Sequence, residues 1–255
     1  MIEKATPILD PPPYDLLGGA FLFLDFDGTL VELAPRPQDV TVEADLRNLL
    51  GRLQDRLDGR LAIVSGRSVA TLRAMFGLGD YLLAGSHGLE LAYPGCAPEA
   101  PVRPPSIDQA LRELICFAEG KNGLVVEEKT LGVAIHYRLA PQQEDECRSI
   151  CEALSVDTGL YLQHGKMMFE LRPGNGGKGT AVTRLLAETE PNGVRPIFIG
   201  DDITDEDGFM AAARLAGSGI LVGSPRITAA NYRLDSVTAA RRWLSRGEEQ
   251  LRKGG

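Results

Sequence analysis

Phe21-Leu22-Phe23-Leu24-Asp25-Phe26-Asp27-Gly28-Thr29-Leu30 decides the fold: an unbroken apolar run ends in two carboxylates one residue apart, then glycine and threonine. A run without polar alternation reads as a parallel strand covered on both faces. Asp25 and Asp27 then emerge at its carboxyl end, where open α/β sheets place their ligands. Two neighbouring buried aspartates are costly unless a cation or a reaction uses them. Asp-Gly is also ordinary turn chemistry, but a turn alone does not call for two acids at the end of a buried strand.

The same rhythm continues downstream. Residues 43–57 carry Leu46, Leu49, Leu50, Leu53 and Leu57 at helical spacing. Leu61–Val64 repeats the buried-strand pattern, Ser68 is placed to cap a helix reaching Phe76, and Tyr81–Gly85 reads as a third strand. Five prolines between 94 and 105 then mark a stiff, extended linker.

Beyond the linker the pattern predicts a helix over 107–119 capped by Ser106 and strands over 124–129 and 133–138. A helix opened by Pro141 and strands near 160–163 and 167–171 follow. After Pro173–Gly177 the α/β alternation returns: helix 178–188, strand 196–199, helix 205–214, strand 219–222 and a terminal helix over 236–251. The fold class is therefore α/β, a doubly wound parallel sheet with an inserted α+β module. The expected divisions are a discontinuous core (20–103 and 174–252), the insertion (104–173) and a loosely ordered leader (1–19). The linker and 171–177 are the expected hinges.

Composition narrows the function. The 255 residues carry a net charge of −8, which argues against a nucleic-acid or anionic-membrane surface as the main partner. No apolar run approaches the roughly 20 residues of a membrane span, and the N-terminus lacks the layout of a secretory signal. The four cysteines form no CxxC pair or dense framework, so a reducing, cytoplasmic location is expected.

Three further segments carry chemistry. Ser65-Gly66-Arg67 follows the second strand, where a hydroxyl, backbone N–H groups and a glycine can approach an anion. Lys178 opens a helix after Gly174-Asn175-Gly176-Gly177, combining an ammonium with a helix amino terminus. Asp201-Asp202 ends another buried strand, as hard-cation ligands do, with Asp205 close behind. In the insertion, Glu127 with Lys129, His136 with Arg138, and Lys166 with Met168 and Glu170 fall on polar strand faces. Mixed acids and cations on one face suit a polyhydroxylated ligand, although one face of an antiparallel sheet is often merely solvated.

The four core segments, in order, resemble the haloacid-dehalogenase-like phosphatases. That resemblance implies Asp25 as nucleophile and Asp27 as general acid/base, with Lys178 in the catalytic set. Ser65, Gly66 and Lys178 would hold phosphate. Mg²⁺ would sit on Asp25, Asp27 and Asp201, with Asp202 and Asp205 in its outer shell. Asp25 is expected to be ionised at pH 7.

Val126–Lys129, Ala134–Arg138, Gly165–Pro173, Gly85–Glu90 and Gly200–Glu206 further resemble the trehalose-6-phosphate phosphatase family, over about residues 20–225. This implies Glu127, Lys129, Arg138, Lys166 and Glu170 as sugar-binding residues, with His87 a weaker candidate. The implied partner is a small sugar phosphate, not nucleic acid or membrane, and a monomer is compatible. Rival readings are a phosphatase of sucrose phosphate or glucosylglycerol phosphate, and a non-catalytic sugar-phosphate sensor.

Overall fold

The computed structural model describes residues 9–77, 81–174, 176–190 and 193–254; the start of the leader and Asn175 of the glycine-rich segment lie outside the described residues. Among the described residues, eleven strands and seven α-helices follow one another. They are β1 (Ala20–Leu24), α1 (Ala44–Arg56), β2 (Leu61–Val64), α2 (Val69–Phe76), β3 (Leu82–Gly85) and β4 (Glu90–Ala92). Next come α3 (Pro105–Ala118), β5 (Val125–Lys129), β6 (Gly132–His136), α4 (Glu144–Thr158), β7 (Tyr161–Gly165) and β8 (Met168–Arg172). The chain closes with α5 (Lys178–Thr189), β9 (Arg195–Gly200), α6 (Glu206–Arg214), β10 (Ser218–Val222), β11 (Tyr232–Leu234) and α7 (Val237–Gly254).

Seven strands form one sheet in the order β11-β10-β9-β1-β2-β3-β4, parallel except for β4. Successive β1 side chains point to opposite faces, and both faces are covered. Leu22 and Leu24 pack with α1 and α7 residues such as Leu50 and Trp243. Phe21 and Phe23 pack with Val182 and Leu185 of α5 and Phe209 of α6. That explains the unbroken apolar run, since every β1 residue is buried. Truncating a fully buried ring here costs about 3–5 kcal/mol, so Phe23→Ala is expected to lower the thermal midpoint sharply, as calorimetry would show.

Strand β1 has β2 on one side and β9 on the other, so the sheet order turns at β1. Register pairs Leu24 with both Ile63 and Ile199. The segments after β1, β2 and β9 therefore leave the sheet at one level, and Asp25, Ser65 and Asp201 converge in the crevice that such a reversal opens.

The insertion forms a second, antiparallel sheet, β5-β6-β8-β7. Val133, Ile135, Tyr137, Phe169 and Leu171 pack against Ile107, Leu114, Cys147 and Cys151 of α3 and α4. The opposite, polar face turns to the core. All four cysteines are free, and no helix among the described residues is long and apolar enough to cross a membrane.

Several local expectations are corrected. Ser106 does not cap α3; Pro104 stands at that position and Pro105 opens the helix, where its missing N–H is harmless. Lys166 is not in a strand but in the tight turn joining β7 to β8, beside Met167 at φ +62°. The leader is not loose over its described part: Tyr14–Leu17 forms a 3-10 turn with Leu17 fully buried, and Trp243 Nε1 donates to the Pro12 carbonyl at 2.9 Å. The short strands β4 and β11 have no counterpart in the sequence reading.

Candidate active site

Asp25 leaves β1 buried, its N–H donating to the Ile199 carbonyl at 2.9 Å. Its Oδ1 accepts from Lys178 Nζ at 2.6 Å, and Lys178 donates equally closely to Asp205 Oδ1. Asp25 Oδ2 is buried and has no hydrogen-bond partner among the described residues. Asp25, Asp201 and Asp205 place one carboxylate oxygen each within 4.8 Å of one another.

These charges are unevenly matched. Burial, and then Asp205, push the Asp25 pKa well above the ordinary carboxylate range, while Lys178 pulls it down. Burial and Asp205 likewise push Asp201 up to about 7. Burial opposes the charge of Lys178, but Asp205 and Asp25 outweigh it and hold its pKa above the usual lysine range. With no cation in the cluster, burial and Asp205 thus disfavour the Asp25 charge, and Lys178 favours it.

Asp205 has a more defined place than the sequence suggested. While Oδ1 holds Lys178, Oδ2 accepts the N–H groups of Asp201 and Asp202 at 3.0 and 2.9 Å. Asp202 in turn accepts from the Ile203 N–H, closing a capping box over the 3-10 turn Ile203–Asp205 that precedes α6. Asp205 therefore orients Lys178 and the Asp201 loop together.

Gly28 permits this crowding. Its φ is +87°, and a Cβ there would lie 2.3 Å from Asp201 Oδ2. Gly28→Ala should displace the Asp201 carboxylate and weaken binding of any divalent cation at the acid cluster at least about tenfold; calorimetric titration of the variant with divalent metal ions checks this.

On the neighbouring loop, Ser65 Oγ accepts the Arg67 N–H at 3.1 Å. The loop is tied to Ser86-His87, whose N–H groups donate to the carbonyls of Arg67 and Ser65. Ser86 and His87 both hold positive φ, +48° and +56°, a conformation that ordinary side chains resist. Buried Glu90 secures it by accepting from Ser86 Oγ and from the Val69 N–H.

Asp25, Asp27, Ser65, Gly66, Lys178, Asp201 and Asp202 share one cavity with His87, Glu127, Lys129, Arg138 and Lys166. The two remaining sequence candidates, Glu170 and Asp205, lie behind its wall. Glu170 is 1% exposed and pairs with Lys129 Nζ and, at 3.3 Å, with His87 Nε2. Burial opposes its charge, but Lys129 and His87 hold its pKa well below the ordinary range. Burial keeps the His87 pKa low.

The polar face of the insertion also reaches the core directly. Lys129 Nζ donates to the Gly66 carbonyl at 3.3 Å, Arg138 Nη1 to the Ala34 carbonyl, and Lys166 Nζ lies 3.7 Å from Asp201 Oδ2. Residues read as sugar contacts thus already span the two sheets.

Some participants were not singled out in the sequence. Arg67, which in the sequence reads only as the end of a Ser65-Gly66-Arg67 turn, donates to both Asp27 oxygens at 2.7 Å. His136 Nε2 lies 2.8 Å from Glu127 Oε2 in the same cavity; its polar strand position was visible, but not that partner. Arg103, from the linker, donates to the Lys129 and Thr130 carbonyls and holds the β5–β6 turn.

Known proteins resemble this chain over most of its length. The sequence profile described as Trehalose-phosphatase matches residues 23–238. A Sinorhizobium fredii protein named "Probable trehalose-phosphate phosphatase" is 36% identical over 221 residues, 86% of this chain and 83% of that protein. Escherichia coli trehalose-6-phosphate phosphatase is 34% identical over 229 residues, 87% of this chain and 84% of its own length. A solved structure described as a trehalose-6-phosphate phosphatase related protein superposes with a TM-score of 0.78 at 27% identity, covering 92% of this chain and 99% of that one.

Proposed function

The chain belongs to the trehalose-phosphatase family, and on that footing we propose that it is a Mg²⁺-dependent enzyme hydrolysing trehalose 6-phosphate to trehalose and phosphate. The observation that carries this reading is Asp25: one oxygen is held by Lys178, the other is buried beside Asp201 without a hydrogen-bond partner among the described residues, and a polyfunctional wall faces both.

The acid cluster fits a hard cation. Among the described residues Asp25 Oδ2 is an orphaned acceptor, burial and Asp205 push Asp201 up to about 7, and magnesium takes such oxygen ligands. Asp25, the Asp27 carbonyl and Asp201 would hold it, with Asp202 and Asp205 orienting the surroundings. Bound there, the ion would offset the repulsion between a carboxylate nucleophile and a phosphate dianion.

The chain's own groups supply the remaining steps. Ser65, the Gly66 loop and Lys178 hold the phosphoryl oxygens, and Asp25 attacks phosphorus to give an aspartyl-phosphate. Asp27 protonates the departing sugar oxygen, then removes a proton from the water that hydrolyses the intermediate. Glu127, Lys129, Arg138 and Lys166 face the sugar, while Glu170 fixes Lys129 from behind. Hinges at 94–105 and 171–177 would let the modules, 104–173 against 20–103 and 174–252, part for entry and release. A cytoplasmic location belongs to the same reading, supported by four free thiols.

Phosphate release from trehalose 6-phosphate, sucrose 6-phosphate, glucosylglycerol phosphate and glucose 6-phosphate, each with Mg²⁺ or EDTA, tests the proposal. The expected result is rapid, metal-dependent release from trehalose 6-phosphate alone. Equal rates across the panel would remove the substrate assignment, and no release from any would favour a sensor.

Metal binding should be linked to protons. Carboxyls whose pKa is raised toward neutrality must lose protons to bind a cation, so apparent Mg²⁺ affinity is expected to fall as pH drops below about 7. Calorimetry at pH 7 in buffers of different ionisation enthalpy should detect proton release.

A further inference from the structure

We propose that Arg67 is a positioning residue for the proton-transfer step, fixing the plane of the Asp27 carboxylate; this rests on the reading of Asp27 as general acid and base.

The contact is a two-point fork: Nε donates to Oδ2 and Nη2 to Oδ1, both at 2.7 Å. Such a pair fixes the orientation of a carboxylate as well as its distance, which a lysine's point charge does not. Each oxygen keeps a second acceptor direction. Asp27 can therefore exchange a proton with a sugar oxygen while the guanidinium holds its plane. The Arg67 side chain is 11% exposed and that of Asp27 27%, so the fork sits at the cavity wall with Asp27 on the open side.

Arg67 is itself held from three directions. Its N–H donates to Ser65 Oγ, its carbonyl accepts the Ser86 N–H at 2.8 Å, and its guanidinium carbon lies 5.5 Å from the centre of the Phe26 ring. The loop that presents Ser65 and Gly66 to phosphate thus also sets the Asp27 carboxylate, so one rigid segment aligns the phosphoryl group and its proton donor.

The proton balance shows where this matters. As the phosphorus–oxygen bond to the sugar breaks, protonated Asp27 gives its proton to the leaving oxygen and becomes a carboxylate beside a fixed cation. It then takes a proton from water as that oxygen bonds to phosphorus and the Asp25–phosphorus bond breaks. A freely rotating carboxylate would lose alignment in both steps, and misplacement by about 1 Å can cost about 100-fold.

The test is a double-mutant cycle on trehalose 6-phosphate with Mg²⁺, using Arg67→Ala, Asp27→Asn and the double variant, with circular dichroism as a fold check. Arg67→Ala is expected to lower kcat by about 30- to 100-fold while KM changes less than about threefold. The double variant should match Asp27→Asn within about threefold, because Arg67 then has no carboxylate to orient. Added guanidinium ion should restore part of the kcat of Arg67→Ala but none of that of the double variant. If Arg67→Ala does not fold, Arg67→Lys replaces it in the same cycle, with a smaller loss expected.

Multiplicative losses, or a loss confined to KM, would overturn the role of Arg67 and leave Asp27 as acid and base. An Asp27→Asn variant with parental kcat would overturn both.

Discussion

Asp25→Asn is expected to remain folded and to lose at least about 10³-fold in kcat, because the amide keeps the shape of the carboxylate but cannot attack phosphorus. The fold should tolerate the change well. Asp25 lies in a buried acid cluster where burial and Asp205 already disfavour its charged form, so a neutral isostere removes repulsion while Lys178 keeps its contact with Asp205. With no Mg²⁺ at neutral pH, the variant should melt no lower than the parent. Inactivity combined with an undiminished melting temperature separates a chemical role from a structural one.

Lys178→Met is expected to be both inactive and strongly destabilised. Lys178 is 3% exposed and lies 2.6 Å from oxygens of Asp25 and Asp205, which are equally enclosed. Removing one partner of a buried ionic cluster costs about 3–5 kcal/mol, since the remaining charges lose their compensation. The deficit has a definite sign with pH: the carboxylates left behind can take up protons, so the gap between variant and parent should narrow as pH falls and widen as it rises. Mg²⁺ should close part of the gap by supplying charge to the same oxygens. Denaturant unfolding at pH 5 and pH 8, with and without Mg²⁺, checks both statements. A constant deficit would mean that the lysine contributes packing rather than charge.

These two residues also show what can be read from sequence. Strand β1 was legible because burial on both faces removes polar alternation, and Asp25 was legible because a charge interrupts that run. Lys178 was visible through its glycine-rich approach to a helix. The polar face of the insertion followed from strand periodicity. Less accessible were arrangements made only by folding. The Arg67–Asp27 fork joins residues 40 positions apart, and Ser65-Gly66-Arg67 as a string indicates a turn, not a partner. Asp205 looks like an ordinary acid near a helix start, yet a 3-10 turn directs one of its oxygens to Lys178 and the other to two backbone N–H groups. Charge alternation runs through Lys166 and so implies a strand residue, whereas a residue at positive φ follows it and the chain reverses there. Strands β4 and β11, three residues each, are too short for a period of two to register.

The Ser86-His87 pair adds a structural lesson about the site. Two consecutive non-glycine residues at positive φ persist because buried Glu90 and the Ser65–Arg67 loop hold them. His87 then meets Glu170 of the insertion at 3.3 Å, so this strained turn joins core and insertion through two buried side chains. His87 thus contacts Glu170, which in turn pairs with Lys129.

The most direct test is to mix enzyme, Mg²⁺ and trehalose 6-[³²P]phosphate, quench with acid within milliseconds, and map the label, since acyl phosphates survive acid. The expected result is label covalently bound at Asp25, with free trehalose equal to the sum of bound label and released phosphate, and no bound label in Asp25→Asn. Release of trehalose and phosphate by the parent enzyme with no labelled protein at any quench time, or label on another residue, would contradict the account.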